Sequence, residues 1–229
     1  MKVYAISGLH LPGKPMNKIY GNVTGNLEEL KEKWNETVNE DDIVLINVNI
    51  CSTKYLKDAK PALDYLGELK GKKIILRSNQ DYWWQNSSNI NDILTKNIIA
   101  LQNESIRIDG VVICGSRGLT LPEPSAETTE EIIELYRREI RRLVMSLKSA
   151  KEKRKDGDVL IAMTLYAPTE TIITDNILKS LFKKYNVTKV VYGKLLGQNI
   201  QSPFYLRLND IEYFYTGCAG DIKTVVRIL

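Results

Sequence analysis

A chain of 229 residues with 43% apolar content and only 7 prolines is long enough to bury a substantial core, and we expect one α/β domain over residues 1–229. Its 32 basic and 28 acidic side chains are mostly interleaved, so the net charge of +4 decides little about the partners of the protein. Because no apolar run approaches the ~20 residues that cross a bilayer and the N-terminus lacks a cleavable apolar segment, we expect a cytoplasmic protein without membrane contact.

The first half of the chain alternates strand-like and helix-like segments. Three short β-branched apolar runs predict strands: 2–6, 42–46 and 72–77. Each run is followed by a polar turn and a helical pattern, an order that predicts a largely parallel sheet. Asn26 is a candidate N-cap, and apolar residues from Leu27 to Val38 recur at helical spacing. In the second helical pattern, Pro61 either kinks the helix or begins another one.

Closely spaced strands and one long helix follow. Asp109 and Gly110 separate the runs SIRI and VVICG and predict a β-hairpin. Residues 127–154 predict an amphipathic helix, and the basic residues at its end favour a solvated helix terminus over a nucleic-acid site. The expected core face of this helix consists of Ile133, Tyr136, Ile140, Leu143, Val144 and Leu147.

The last part of the chain returns to strands at 159–163 and 189–192, with a helical segment at 176–184 between them. The runs FYLRL, IEYFYTG and VVRIL then predict an antiparallel meander, with Asn209-Asp210 as a hairpin turn. Together the elements predict two mixed β-sheets packed face to face with helices outside. The three cysteines lack the paired spacing of a zinc site, which favours buried free thiols.

The turns after the parallel strands are where doubly wound sheets place their ligand sites. Five of them carry polar or glycine-containing sequences: SGLH at 7–10, NVN at 47–49, RSNQDYWW at 77–84, MTLYAP at 163–168 and YGKLLG at 192–197.

These five turns resemble, in order and spacing, the signature of the calcineurin-like metallophosphoesterases, D-x-H, G-D, G-N-H-[DE], H and G-H-x-H. The resemblance covers nearly the whole chain, includes Gly115-Ser116-Arg117-Gly118, and is closest to small bacterial members. It implies the calcineurin-like fold, a four-layer αββα arrangement of two mixed sheets. It also implies a hydrolase in which two divalent ions bind a phosphate ester and activate a bridging water.

Most of the ligands that this chemistry needs are replaced. The positions that the resemblance assigns to metal ligands and to the catalytic acid are Gly8, His10, Asn49, Asn79, Gln80, Leu165, Lys194 and Leu196. Only His10 and Asn79 keep the family residue, while Asn49 is neutral where a bridging aspartate is expected and Gln80 replaces the catalytic histidine. Both carboxylates are gone, and an ammonium at Lys194 repels a divalent ion. We therefore expect no metal, no other cofactor and no catalytic residue, which describes a pseudoenzyme.

Three classes of function stay open. The favoured one is a non-catalytic binding or regulatory module for a phosphate or nucleotide ligand or a protein partner. The alternative is a phosphoesterase with residual, at most mononuclear, metal-dependent activity. A third is an oligomerising protein that pairs with a second copy through the helix at 127–154. The candidate anion-binding residues are Arg117, Lys194, His10 and Asn79.

Single residues also leave alternatives. His10 is the only histidine, which favours a turn residue over a metal ligand. Arg117 fits either a surface ion pair or an anion site. Asp81, which orients the catalytic histidine in the family, is expected to bond Gln80 or the backbone. The adjacent indoles that follow Asp81 favour packing over a place in a substrate cleft.

Overall fold

The computed structural model describes residues 1–13, 27–51, 53–84, 90, 92–117, 129–166, 177–194, 205–217 and 224–229. The chain is an α/β protein with two mixed β-sheets, as the sequence predicts. It forms two compact units, Met1–Ala100 with Thr216–Leu229 and Leu101–Tyr215. The single domain and the packing of the sheets against each other stay predictions. No helix in these ranges is long and apolar enough to span a membrane.

The sheet of the first unit has the strand order β11-β1-β2-β3-β4. Its strands are β1 (Val3–Ser7), β2 (Ile43–Asn47), β3 (Lys72–Leu76), β4 (Ile98–Leu101) and β11 (Val226–Arg227). The first three are parallel, in agreement with the predicted strands 2–6, 42–46 and 72–77. Every residue of β1 and β2 is buried, which explains why their sequences are continuously apolar rather than alternating.

Helices α1 (Leu27–Thr37) and α2 (Leu56–Glu68) belong to the first unit. One helix runs through Pro61, so no second helix begins there. Trp34 of α1 is buried in the core, and its indole donates to the Lys70 carbonyl at 3.0 Å. Trp83 and Trp84 are buried in the same core, which confirms the packing role predicted for them.

The sheet of the second unit has the order β5-β6-β7-β8-β10-β9. Its strands are β5 (Ser105–Ile108), β6 (Val111–Gly115), β7 (Val159–Tyr166), β8 (Lys189–Lys194), β9 (Tyr205–Leu208) and β10 (Ile211–Tyr215). Both predicted hairpins form. Their turn residues Asp109, Gly110, Asn209 and Asp210 all have positive φ, the conformation that two-residue hairpin turns require.

Helices α3 (Glu130–Lys153) and α4 (Ile177–Lys184) complete the second unit. The Thr129 side chain caps α3 by accepting from the Ile132 N–H at 3.4 Å. The predicted face of α3 is partly wrong, because its members before Leu143 are only half-buried. Two polar residues, Glu139 and Ser146, are buried instead, together with Leu143, Leu147 and Ala150.

The predicted C-terminal meander is correct for the antiparallel pair of β9 and β10 but wrong for its last strand. Strand β10 pairs in parallel with β8, and β11 joins the other sheet by pairing antiparallel with β1. The Ile228 N–H donates to the Val3 carbonyl at 2.7 Å, which fixes the end of the chain beside β1. A short apolar run shows that a strand forms but carries no information on which edge it joins, and here β1 offers the edge.

Two cysteines, Cys51 and Cys114, are free and buried, as predicted, whereas Cys218 lies outside the described residues. Burial raises the pKa of the Cys51 thiol to about 11 and that of Cys114 to about 12. Both are therefore protonated thiols at neutral pH, and neither is an activated nucleophile.

Candidate functional site

The first unit brings the turns after β1, β2 and β3 to one edge of its sheet. The strands are parallel and in register through their last residues. The Gly8 N–H donates to the Val48 carbonyl at 2.7 Å, and the His10 N–H donates to the Asn49 carbonyl at 2.7 Å. The first two turns are thus hydrogen-bonded to each other, and they place His10 beside Asn49.

Both turns contain residues in left-handed backbone conformations. The residues are Gly8 (φ 69°), His10 (φ 46°), Val48 (φ 68°) and Asn49 (φ 50°). For a β-branched residue such as Val48 this conformation is unusual and costs about 1–2 kcal/mol. Such strain persists only where the surrounding structure enforces it.

Asp81 binds the backbone that directly follows Val48 and Asn49. Its carboxylate is fully buried. One oxygen accepts from the N–H groups of Ile50 at 3.0 Å and Cys51 at 3.3 Å, and from the Trp83 indole at 3.2 Å. The other oxygen accepts from the Ser78 N–H at 2.9 Å. Asp81 therefore ties the turn after β2 to the turn after β3, which confirms the expected bonds to the backbone.

Ser78 fixes the orientation of the Asn49 amide. The Ser78 hydroxyl oxygen accepts from the N–H groups of Asn49 at 3.1 Å and Gln80 at 3.2 Å. Its single proton is then directed to Asn49 Oδ1, 3.1 Å away. The amide Nδ2 consequently faces His10 Nε2 at 3.3 Å. Since an amide nitrogen only donates, His10 Nε2 is the acceptor in this contact.

The hydrogen bond from the Asn49 amide therefore occupies the lone pair of His10 Nε2, which His10 would need in order to bind a metal ion. Asn79 and Gln80 follow Ser78 directly; Asn79 is half-buried and Gln80 is exposed. Within the described parts of the chain, no three His, Cys, Asp or Glu side chains form a group that could hold a metal ion. The edge of the first sheet offers an imidazole and amides, and its buried carboxylate at Asp81 is occupied by backbone donors.

The second unit places a different set at the carboxyl edge of its sheet. Arg117 follows β6, and its carbonyl accepts from the Leu165 N–H at 3.3 Å. Leu165 was predicted to lie in a turn, but β7 continues to Tyr166 and Leu165 is a fully buried strand residue. The reason is that the strand keeps its partner, since Tyr166 pairs with Lys194 at the end of β8. Leu196 lies outside the described residues.

Arg117 is held by Glu139, a residue of α3 that is not among the predicted site residues. The side chain of Glu139 is 1% exposed, and its Oε1 accepts from Arg117 Nη2 at 3.1 Å and from Arg142 Nη1 at 2.5 Å. Ser116 donates to Oε2 at 3.4 Å. The arginine predicted to be either in a surface ion pair or in an anion site is thus in an ion pair with a buried carboxylate.

The predicted site residues therefore fall into two sets. Those of the first unit, Gly8, His10, Asn49, Asn79 and Gln80, lie on the turns at one sheet edge. Arg117, Leu165 and the backbone of Lys194 lie at the carboxyl edge of the second sheet. That the two sets line one cleft stays a prediction. Glu139 had a visible signal, because it precedes the buried Leu143 by one helical turn.

The fold is similar to that of the phosphopantetheinyl hydrolase PptH from Mycobacterium tuberculosis. The TM-score is 0.56 and the identity 13%, over 100% of this chain and 95% of that one. A protein of unknown function from Aquifex aeolicus, AQ665, has a TM-score of 0.47 and 12% identity, over 99% and 95%. No protein-family model and no curated protein matches the sequence. At 13% identity the similarity to the hydrolase shows a shared fold alone.

Proposed function

We propose that this chain is a degenerate calcineurin-like metallophosphoesterase that binds a phosphate-containing ligand or a protein partner without hydrolysing phosphate esters. The observation that carries the proposal is the contact between the Asn49 amide and His10 Nε2 at 3.3 Å. In the resemblance, Asn49 stands where an aspartate bridges two metal ions. The amide brings no negative charge, and its N–H group occupies the lone pair of the one imidazole in the chain.

Metal binding at this position has to overcome the hydrogen-bond network first. For His10 to coordinate a cation, the Asn49 amide must turn away, and Ser78 then loses the acceptor of its proton. Breaking these bonds costs about 1 kcal/mol each. An aspartate at this position would offset that cost through its charge, whereas the amide oxygen of Asn49 is a weak ligand for a hard divalent ion.

Proton transfer to a leaving group is lost as well. The resemblance assigns the catalytic acid to Gln80, whose amide has no proton to give in the physiological pH range. Asp81, which orients the acid in the family, accepts from three backbone N–H groups and an indole instead. The metal ligand and the acid are replaced together, which supports loss of hydrolysis rather than a change of metal.

The strained turns support a retained binding role. Left-handed Val48 costs stability, and the buried Asp81 accepts from the backbone N–H groups of Ile50 and Cys51, which follow in the same turn. If this edge of the sheet had no function, the chain would gain stability by relaxing the strained turn after β2. Persistence of the strained geometry without the catalytic groups favours a binding surface over a purely structural fold.

The test is an assay of phosphomonoester and cyclic-nucleotide hydrolysis with manganese, nickel, zinc or magnesium. We expect no turnover above a no-enzyme control with any of the four ions. A His10→Ala variant serves as the matched control, because it removes the one imidazole of the site. Metal-dependent turnover in the wild type that this variant abolishes would show the alternative, a hydrolase with residual mononuclear activity.

A further inference from the structure

Among the described residues, the ion-pair cluster at the end of β6 contains more positive than negative charge. One carboxylate, Glu139, is shared by two guanidinium groups, Arg117 and Arg142. The three groups together carry a formal charge of about +1 at neutral pH. Locking α3 against the end of β6 needs a single guanidinium. The second adds like-charge repulsion close to a buried group, where screening is weak.

The two arginines also keep unused donors. A guanidinium has five N–H groups, and each arginine directs one nitrogen at Glu139 Oε1. Arg117 Nε is buried and has no hydrogen-bond partner among the described residues. The side chains of Arg117 and Arg142 are 23% and 37% exposed, so both are reachable from solvent while their heads are held in place.

Their position is where parallel sheets place ligands. Arg117 lies two residues beyond β6, at the carboxyl end of a strand whose neighbour β7 is parallel. Arg142 reaches the same carboxylate from α3. Two guanidinium groups that contact one oxygen lie close together, and a tetrahedral dianion accepts from several donors at once. Such an ion also relieves the repulsion between the two cations.

We propose that Arg117 and Arg142 form a clamp, positioned by Glu139, for a phosphate monoester or diphosphate group. The proposal rests on the proposed function in taking the ligand to be phosphate-containing, and it adds Arg142 as the partner of Arg117. Glu139 is a positioning residue: it holds both guanidinium groups by charge-assisted hydrogen bonds and leaves their outer N–H groups for the anion.

The experiment is a calorimetric titration of the full chain with inorganic pyrophosphate and, separately, inorganic phosphate at an ionic strength of about 0.15 M. The test variant is Arg142→Gln. Its matched control is Arg138→Gln, which removes the same charge from an exposed position of the same helix. Loss of one charge-assisted bond predicts an affinity about tenfold weaker or more for Arg142→Gln. The control is expected to bind within about twofold of the wild type, because a single exposed charge is screened by salt.

A second variant, Arg117→Lys, keeps the charge but loses the planar fork, and we expect it to weaken pyrophosphate binding as well. Thermal melts of every variant establish that each is folded. Equal weakening by Arg142→Gln and Arg138→Gln would overturn the clamp in favour of diffuse electrostatic attraction. Unchanged pyrophosphate binding in Arg142→Gln overturns the clamp but leaves the proposed function standing. No binding of either anion to the wild type overturns the clamp and the phosphate-containing ligand together, whereas absence of hydrolysis is judged by the separate turnover assay.

Discussion

Asp81→Ala removes the common acceptor of the turns that form the candidate site. Four donors lose their partner: the N–H groups of Ile50, Cys51 and Ser78 and the indole of Trp83. Because the carboxylate is fully buried, water does not replace it without an opening of the core. An orphaned buried donor costs about 1–3 kcal/mol. We therefore expect the free energy of unfolding to fall by about 4 kcal/mol or more.

Asp81→Asn makes a finer test of the same geometry. The amide oxygen keeps the three bonds made by Oδ1, but the amide nitrogen replaces Oδ2 and faces the Ser78 N–H. One donor is then orphaned and confronted by another donor, which costs about 2 kcal/mol. We therefore expect the wild type to be the most stable, Asp81→Asn to be intermediate and Asp81→Ala to be the least stable.

Urea unfolding followed by tryptophan fluorescence measures these changes. The chain has 3 tryptophans, Trp34, Trp83 and Trp84, and all belong to the first unit, so the signal reports that unit. Asp92→Asn is the matched control, because it makes the same chemical change at an exposed position of the same unit. A loss below about 1 kcal/mol for Asp81→Ala, or no difference from the control, refutes the role given to Asp81.

Three further predictions address strain, charge and the lost ligands. Gly8→Ala should lower the free energy of unfolding by about 1 kcal/mol through its left-handed backbone, since among the described residues an added Cβ first meets the His10 ring, at 3.9 Å; an unchanged urea midpoint contradicts this. The pKa of Asp158 is lowered to about 2, first by the hydrogen bond from Arg107 and then by a backbone bond. Asp158→Asn should therefore lower stability above about pH 4, with the difference lost as the pH falls through about 2. Unfolding followed by circular dichroism across that pH range measures the stability difference between variant and wild type. A difference that does not depend on pH disproves the ion pair as its source. Restoring the family ligands should create manganese-dependent thermal stabilisation that no single reversion gives, and a folded variant that ignores manganese would mean that the site has been remodelled. The six changes are Gly8→Asp, Asn49→Asp, Gln80→His, Leu165→His, Lys194→His and Leu196→His.

The elements that the sequence predicts well are those fixed by nearby residues. The hairpin turn forms at Asp109 and Gly110 because both residues tolerate the positive φ that a two-residue hairpin turn requires. The parallel strands follow from their continuous apolar runs. The partner of β11 was missed because pairing with β1 joins the two ends of the chain, and no local pattern encodes that choice. Leu165 was misplaced for a similar reason, since the length of β7 depends on its pairing with β8.

In the candidate site, too, features set by nearby residues are predictable and features set by distant residues are not. The turn residues Gly8, Asn49 and Asn79 follow strand ends, so their presence at one sheet edge follows from strand order alone. The orientation of the Asn49 amide depends on Ser78, which lies 29 residues further along the chain. Glu139 is buried because Arg117, 22 residues earlier, reaches its carboxylate. A helical pattern marks Glu139 as unusual but does not name its partner.

Titration of manganese into the purified chain by calorimetry tests the loss of the dinuclear site most directly. The account predicts no binding step in the wild type that exceeds the weak heats of a His10→Ala variant, because the Asn49 amide occupies the imidazole lone pair and supplies no charge. Saturable binding of two manganese ions per chain, abolished in the His10→Ala variant, would contradict it.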